Sequence, residues 1–215
     1  MSELSEPSGR VRVEALVGDM TGQWRTRLTA FPRIAADPAG RRSAGVAMCI
    51  VDDEQPHVLL IKRAPRGHNA GQWAFPGGRL EAGEDAVTAA LRETEEEVGI
   101  HAEPSSVLGL LDDFVADSGF VITPVVLHLP GPVAPQRNPD EVQSVHRVSL
   151  RRLVSDDLPR WAQLPDGRPL LQMPLRQDMV VHAPTGAILY QFREVVLLGR
   201  QTRVADLAQP AFTAS

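Results

Sequence analysis

Apolar positions along this chain fall mostly into short runs with β-type spacing, interrupted by polar turns, and only a few stretches carry helical spacing. "SAGVAMCIVD" and "HVLLIKRA" are separated by the turn "DEQP", which predicts a hairpin or an adjacent strand pair. "QWAF" reads as a short strand stopped by Pro76. "SVLGLLDDFVAD" and "FVITPVVLHLP" read as two strands joined at "SG", and Pro124 near the middle of the second requires a bulge or an edge there. "VQSVHRVSL" is a further strand, followed by a short helix at "RRLVSD". "LPDGRPLLQMPLRQDMVVHAPTG" predicts strands joined by turns, and "AILYQFREVVLLGRQTRVADL" a closing amphipathic helix. Near the start, "VRVEALVGDMTGQWRTRLTAF" has the spacing of a helix, with Gly18 and Gly22 as points where it would break. "PRIAADPAGRR" then reads as a linker and "GPVAPQRNPDE" as a proline-rich loop of the length usually kept for function. Strands and helices intermix, so the expected class is α/β or α+β with a mixed sheet. The expected organisation is an N-terminal tail and helix over 1–40, one domain over 41–205 and a C-terminal tail over 206–215.

Composition narrows the function. With 43% hydrophobic and 23% charged residues in 215, the chain has the make-up of a globular protein able to bury a core. A net charge of -5 supplies no basic field for nucleic acid or an anionic membrane surface, so neither is expected as a partner. The single Cys49 excludes an internal disulfide and, inside "AGVAMCIV", reads as a small core residue. No signal-peptide pattern and no stretch of about 18–20 apolar residues is present, which predicts a soluble cytoplasmic protein.

One helix changes the picture. Residues 85–98 have helical spacing, and Gly99 is placed to end them as a left-handed cap. Val87, Ala90, Leu91, Thr94 and Val98 make one apolar face. Beside it stand Glu93, Glu96 and Glu97, at positions i, i+3 and i+4. Like charges at that spacing repel by a few tenths of a kcal/mol per pair, and the C-terminal end of the helix dipole adds to the penalty. Three converging carboxylates call for a positive charge between them, and hard oxygen donors favour Mg²⁺ or Mn²⁺, ions that commonly arrive with substrate phosphates. A merely solvated acidic face is the alternative on composition alone.

The spacing around the helix decides between them. Gly78, five residues, Glu84, seven residues, Arg92-Glu93, two residues, Glu96-Glu97, one residue and Gly99-Ile100 resembles the Nudix box of the Nudix hydrolase superfamily, with Thr94 where that family usually has a bulky aliphatic. The resemblance implies an α/β/α sandwich with a mixed β-sheet, the box forming a loop–helix–loop. It implies metal ligation by Glu93, Glu96 and Glu97 with the main-chain carbonyl of Gly77, and a structural ion pair between Glu84 and Arg92. Gly77 and Gly78, lacking side chains, would let backbone approach metal and phosphate closely, with Arg79 beside them as a further substrate contact.

The flanks point to a diphosphate class. "LLIKRAPRGHNAGQWAFPGG" resembles the companion motif of the coenzyme A diphosphatase branch, with three departures. Ile61 stands for Thr, the segment between Ala64 and Gly71 is one residue short, and the expected Arg slot falls on Gly67 between Arg66 and His68. "TPVV" and "NPDEV" downstream resemble the same branch. A substrate with a diphosphate and a ribose 3′-phosphate needs extra cations, for which Lys62, Arg63, Arg66 and His68 are the candidates. Trp73 has a stacking or a packing role, and Glu141 is the candidate base, with Glu93 and Glu96 as the other catalytic carboxylates. Asp112, Asp113 and Asp117 are weaker substitutes for Glu141. Arg147, Arg151 and Arg152 read as a solvated face or dimer edge. The expected activity is hydrolysis of coenzyme A or its derivatives to 3′,5′-ADP and 4′-phosphopantetheine. A pyrophosphatase for ADP-ribose or other nucleoside diphosphate derivatives is the rival enzyme, and a non-catalytic Nudix-fold binding module the rival from another class. The resemblance favours a homodimer.

Overall fold

The structure, a computed structural model, describes residues 20–65 and 70–210. The expected N-terminal tail, the first half of the first helix, Arg66 and His68 lie outside the described residues.

Helix α1 (Met20–Ala30) is followed by β1 (Arg42–Asp52), β2 (His57–Arg63), β3 (Trp73–Ala74) and β4 (Gly77–Arg79). Helix α2 (Ala86–Val98) leads to β5 (Val107–Leu110), β6 (Phe114–Ala116), β7 (Phe120–Pro130) and β8 (Val142–Ser149). The chain then forms α3 (Leu150–Leu153), β9 (Arg160–Gln163), β10 (Pro169–Arg176), β11 (Met179–Val181), α4 (Thr185–Phe192) and a π-helical turn at Arg193–Leu197. The main sheet has eight strands, with β3-β2-β1-β7-β5 in order and β4, β6 and β8 pairing β1, β7 and β2. It is mixed: β1 and β7 run parallel from Arg42↔Phe120 to Asp52↔Pro130, and the other pairs are antiparallel. β9, β10 and β11 form a separate three-stranded antiparallel sheet.

The period-two alternation of β1 sorts its side chains between two cores. Ala47, Cys49 and Val51 pack with Ala90 and Val98 of α2 on one face. Met48 and Ile50 pack on the other with Trp24 and Leu28 of α1 and with Ile188 and Phe192 of α4. The architecture is therefore the expected helix–sheet–helix sandwich. No helix among the described residues is long and apolar enough to cross a membrane.

Several local expectations are corrected. The run expected as one strand over 106–117 is two, because Asp112 and Asp113 turn out of the sheet to bind other segments. Arg33 and the Ile34 and Ala36 amides donate to these two carboxylates from one side, and Gln191 and Arg203 donate to Asp112 from the other. The segment after α1 is thus held rather than free as a linker. Pro124 sits opposite Val46 within a paired strand, but its carbonyl accepts from Leu111 N in the gap between β5 and β6. The missing proline N–H faces the same gap, where no strand partner requires it. Gly77–Arg79, expected within the first loop of the box, pairs with β1 as β4. The closing helix ends in the π-helical turn and is buried almost all round, with Arg193 and Glu194 pairing inside. Residues 206–210, expected to belong to a tail, pack on the fold: Ala208 is buried and Gln209 bonds Asp117 N and Val115 O. Arg152 is no solvated residue, since it donates to Asp157, Ser155 and the carbonyls of Pro174 and Leu175.

Candidate active site

β1 and β2 pair directly at only Ile50↔Val58 and Val51↔His57. Beyond that they diverge, β3 continuing along β2 and β4 along β1. A cavity of about 550 Å³ lies where the sheet opens. Glu93, Glu97 and Glu141 line it together with Arg63, Gly77 and Gly78.

The loop before α2 is built from its own carboxylates. Asp85 caps the helix, accepting from Thr88 N at 2.8 Å. Glu84 Oε2 accepts from Glu81 N at 2.8 Å while both Glu84 oxygens take bonds from Arg92, at 2.8 and 3.1 Å. Arg92 also donates to Glu93 Oε1 at 3.0 Å, to Glu96 Oε2 at 2.9 Å and to the Arg79 carbonyl. One guanidinium therefore joins loop, β4 and two further helix carboxylates. Its bonds hold the Glu84 carboxyl well below the usual range, at about 2. Thr94 is fully buried and satisfies its hydroxyl on Ala90 O at 2.7 Å, so it packs on the sheet where an aliphatic would.

Glu97 is the most buried acid of the group, only 2% exposed. The Gly77 amide donates to its Oε2 at 3.0 Å, and Arg63 stands 3.8 Å from its Oε1. Burial raises its pKa to about 7, against the lowering effects of the Gly77 amide and Arg63, and the charges of Glu93 and Glu141 raise it further. Glu93 is also raised by burial, with Arg92 opposing and the charges of Glu96 and Glu141 adding to the rise. Space for Glu93 exists because residue 78 is glycine: a Cβ there would collide with the Glu93 carboxylate. A Cβ at Gly77 would come within 2.6 Å of Gly45 O and Val46 Cα. Gly77 thus serves close approach to the β1 backbone and Gly78 close approach to the Glu93 carboxylate, whereas the sequence reading set both against metal and phosphate.

The set that faces the cavity differs from the one expected. Glu96 has a side chain 54% exposed, lies off the cavity and is tied to Arg92, because its position on α2 points to solvent. Among the described residues no group of three His, Cys, Asp or Glu stands close enough to hold a metal ion. Glu141 does reach the cavity. Its loop is docked on α2, Gln136 N and Asn138 N donating to the Val98 and Glu97 carbonyls at 2.7 and 2.9 Å. Those bonds satisfy carbonyls at the C-terminal end of the helix. Arg79 lines the cavity, whereas Lys62 does not: its Nζ sits 5.3 Å over the Trp73 ring, which in turn meets His146 edge-on. Asp112 and Asp113 are consumed by structural bonds and are no substitutes for Glu141.

Sequence reading missed the other wall, formed by Arg42, Phe120, Ile122, Thr185 and Ile188. Arg42 and Phe120 become neighbours only through the parallel β1–β7 pairing, for which the sequence carries no short-range signal.

The donor chemistry fits a hard divalent cation. Carboxylate oxygens on Glu93, Glu97 and Glu141 share a cavity with the Gly77–Gly78 backbone, and burial resists the ionisation of Glu93 and Glu97 unless positive charge joins them.

Comparison with known proteins agrees with the box. The chain is 37% identical over 121 residues to Uncharacterized Nudix hydrolase NudL of Citrobacter koseri, covering 55% of this chain and 63% of that protein. It is 34% identical over 142 residues to the protein of the same name from Photorhabdus laumondii, covering 65% and 74%. Against the first of these the matched stretch spans under two-thirds of the relative's length. A MutT/nudix family protein from Enterococcus faecalis superposes with a TM-score of 0.47 at 21% identity, covering 66% of this chain and 51% of that one. The profile described as NUDIX domain matches residues 41–170, more than half of the sequence, and the chain belongs to that family.

Proposed function

We propose that the protein is a metal-dependent diphosphatase that hydrolyses coenzyme A or its derivatives to 3′,5′-ADP and 4′-phosphopantetheine. The observation that carries this reading is one cavity lined by three carboxylates, Glu93, Glu97 and Glu141, and three arginines, Arg42, Arg63 and Arg79. A phosphate anhydride accompanied by a divalent ion complements both sets of charge. The likeness of residues 59–78, and of "TPVV" and "NPDEV", to the coenzyme A branch supports the substrate class.

In this reading Glu93 and Glu97 would hold Mg²⁺ or Mn²⁺, with the Gly77 main chain beside them and Glu96 joining where it gives up Arg92. When bound, such an ion would withdraw charge from the phosphoryl oxygens at the reacting phosphorus. Arg63 orients the diphosphate against Glu97, and Gly77 and Gly78 allow phosphate to approach the backbone. Glu141 takes the proton of the attacking water. The water oxygen adds to one phosphorus, the bond to the bridging oxygen breaks, and the other phosphate leaves with that oxygen.

A second reading, cleavage of ADP-ribose or another nucleoside diphosphate derivative, is favoured by the segment between Ala64 and Gly71, one residue shorter than the coenzyme A branch pattern. A non-catalytic role fits poorly, since every box carboxylate is present. A cytoplasmic setting and a homodimeric assembly belong to the same proposal, and size-exclusion chromatography tests the second. The activity is tested with coenzyme A, acetyl-coenzyme A, ADP-ribose, NADH and nucleoside triphosphates, each with Mg²⁺ and Mn²⁺, products resolved by chromatography. Preferred cleavage of coenzyme A supports the proposal; ADP-ribose as the clear favourite replaces it with the second reading.

A further inference from the structure

The cations expected to recognise a second phosphate were those of the 62–68 segment. The structure places Lys62 over Trp73, outside the cavity, and Arg63 beside Glu97, where it faces the carboxylate wall. Two other arginines occupy the opposite side. Arg79 on β4 pairs with Ala44, and Arg42 stands two residues before Ala44 on β1. By the period of a strand, Arg42, Ala44 and Arg79 lie on one face of the sheet. Phe120 and Ile122, the β7 partners of Arg42 and Ala44, share that face and line the same cavity. The Arg42 guanidinium lies over the Phe120 ring, 4.1 Å from its centroid, which presents the charge along the cavity wall.

Arg33, Arg92, Arg152, Arg168, Arg193, Arg200 and Arg203 all have a carboxylate in hydrogen-bonding contact. Among the described residues no carboxylate lies within ion-pair distance of Arg42 or Arg79, although both border a cavity whose far wall is acidic. Val46, four positions along β1 from Arg42, pairs with Gly77 beside the Glu97 carboxylate. That is about 13 Å along the strand, less the reach of the arginine side chain.

We propose that Arg42 and Arg79 form a second anion subsite, which takes a phosphate monoester carried by the substrate outside its diphosphate. This rests on the diphosphatase reading above and assigns the ribose 3′-phosphate of a coenzyme A-type substrate to the pair. Two planar guanidiniums on one face offer enough N–H donors for a dianionic phosphate, more than a single carboxylate uses. Phe120 and Ile122 line the cavity beside the pair, and the Phe120 ring supports the Arg42 guanidinium.

The test separates this subsite from the reaction. Binding of 3′,5′-ADP and of 5′-AMP is measured by calorimetry in EDTA, for the unaltered protein, the Arg42→Gln/Arg79→Gln double variant and Arg63→Gln. The unaltered protein is expected to bind 3′,5′-ADP about tenfold or more tightly than 5′-AMP, as a charge-assisted phosphate contact requires. The double variant should bring that ratio close to one, while Arg63→Gln weakens both nucleotides together and keeps the ratio. Equal binding of the two nucleotides by the unaltered protein, or a preference that survives in the double variant, overturns the subsite. Turnover of coenzyme A against dephospho-coenzyme A is scored separately. Failure to cleave either one refutes the diphosphatase reading and leaves the binding ratio to judge the arginine pair.

Discussion

The Gly77 amide donates to Glu97 Oε2 at 3.0 Å, so the backbone of β4 and the most buried carboxylate of α2 are fixed against each other. That single bond is too little to offset the burial of Glu97, whose pKa stands at about 7 against an ordinary 4.5. Between those pH values the folded state keeps a proton that the unfolded chain has already lost. Stability of the metal-free protein should therefore fall as pH rises from about 4.5 to 7, by up to about 3 kcal/mol. Thermal melts in EDTA check this, and Glu97→Gln should flatten the slope in that window. Excess Mg²⁺ or Mn²⁺ should have the opposite trend, stabilising more as pH rises, because the ion binds the ionised carboxylate. The same variant should abolish turnover. A slope unchanged in Glu97→Gln would show that the titrating group lies elsewhere.

Two glycines should respond differently to the same added methyl. At Gly78 the new Cβ meets the end of the Glu93 side chain, which can swing aside. Gly78→Ala should therefore fold, with a melting temperature near that of the unaltered protein, and lose activity because Glu93 is displaced. At Gly45 the Cβ meets the carbonyl of Ala86, the first residue of α2, which cannot move alone. Gly45→Ala should cost about 1–3 kcal/mol or more in a denaturant titration. Equal stability of the two variants would contradict this contrast between side chain and backbone.

Arg92 is the common partner of Glu84, Glu93, Glu96 and the Arg79 carbonyl. Removing it by Arg92→Met leaves Glu84 without the partner that orients it toward the Glu81 amide. Hydrogen exchange should then show faster exchange at Glu81 and through the 79–85 loop, while the β1 and β7 amides stay protected. Lysine cannot reproduce the fork, so Arg92→Lys should restore little of the protection. Unchanged exchange at Glu81 would mean that the loop holds its shape without the arginine.

Glu141 reaches the cavity on a loop already docked to α2 through Gln136 and Asn138, so the base proposed here is in place without a closing motion. Glu141→Gln should lower kcat about a hundredfold or more, with KM and metal affinity near normal. Restoration by a higher metal concentration would make Glu141 a ligand rather than a base. No loss at all would return the role to Glu93 or Glu96.

What the sequence disclosed follows from range. The left-handed Gly99 and the closeness of Glu93 to Glu97 are set within about two turns of helix, where spacing decides geometry, and the Glu84–Arg92 pair came with the family resemblance. Convergence of Glu96 was the exception, because i, i+3 and i+4 positions span an arc wide enough for one member to face solvent. Arg42 and Phe120 lie 78 residues apart and meet through a parallel pairing that no periodicity announces. The break at Asp112 and Asp113 was hidden for the same reason: "LDD" reads as strand until the distant arginines that claim it are known.

Those two aspartates tie the segment after α1 and the segment after the π-helical turn to one point between β5 and β6. The stretch matched by the family profile stops at residue 170, two residues into β10, and begins after α1. What is recognisable by ancestry is accordingly shorter than what folds. A fragment cut to residues 41–170 would keep every box carboxylate and still lose Trp24, Leu28, Ile188 and Phe192 from one side of its sheet. It would expose that apolar face and leave Asp112 without its Arg203 partner. Such a fragment should express as an aggregate, whereas residues 20–210 should unfold as one cooperative unit, with both ends released in the same transition.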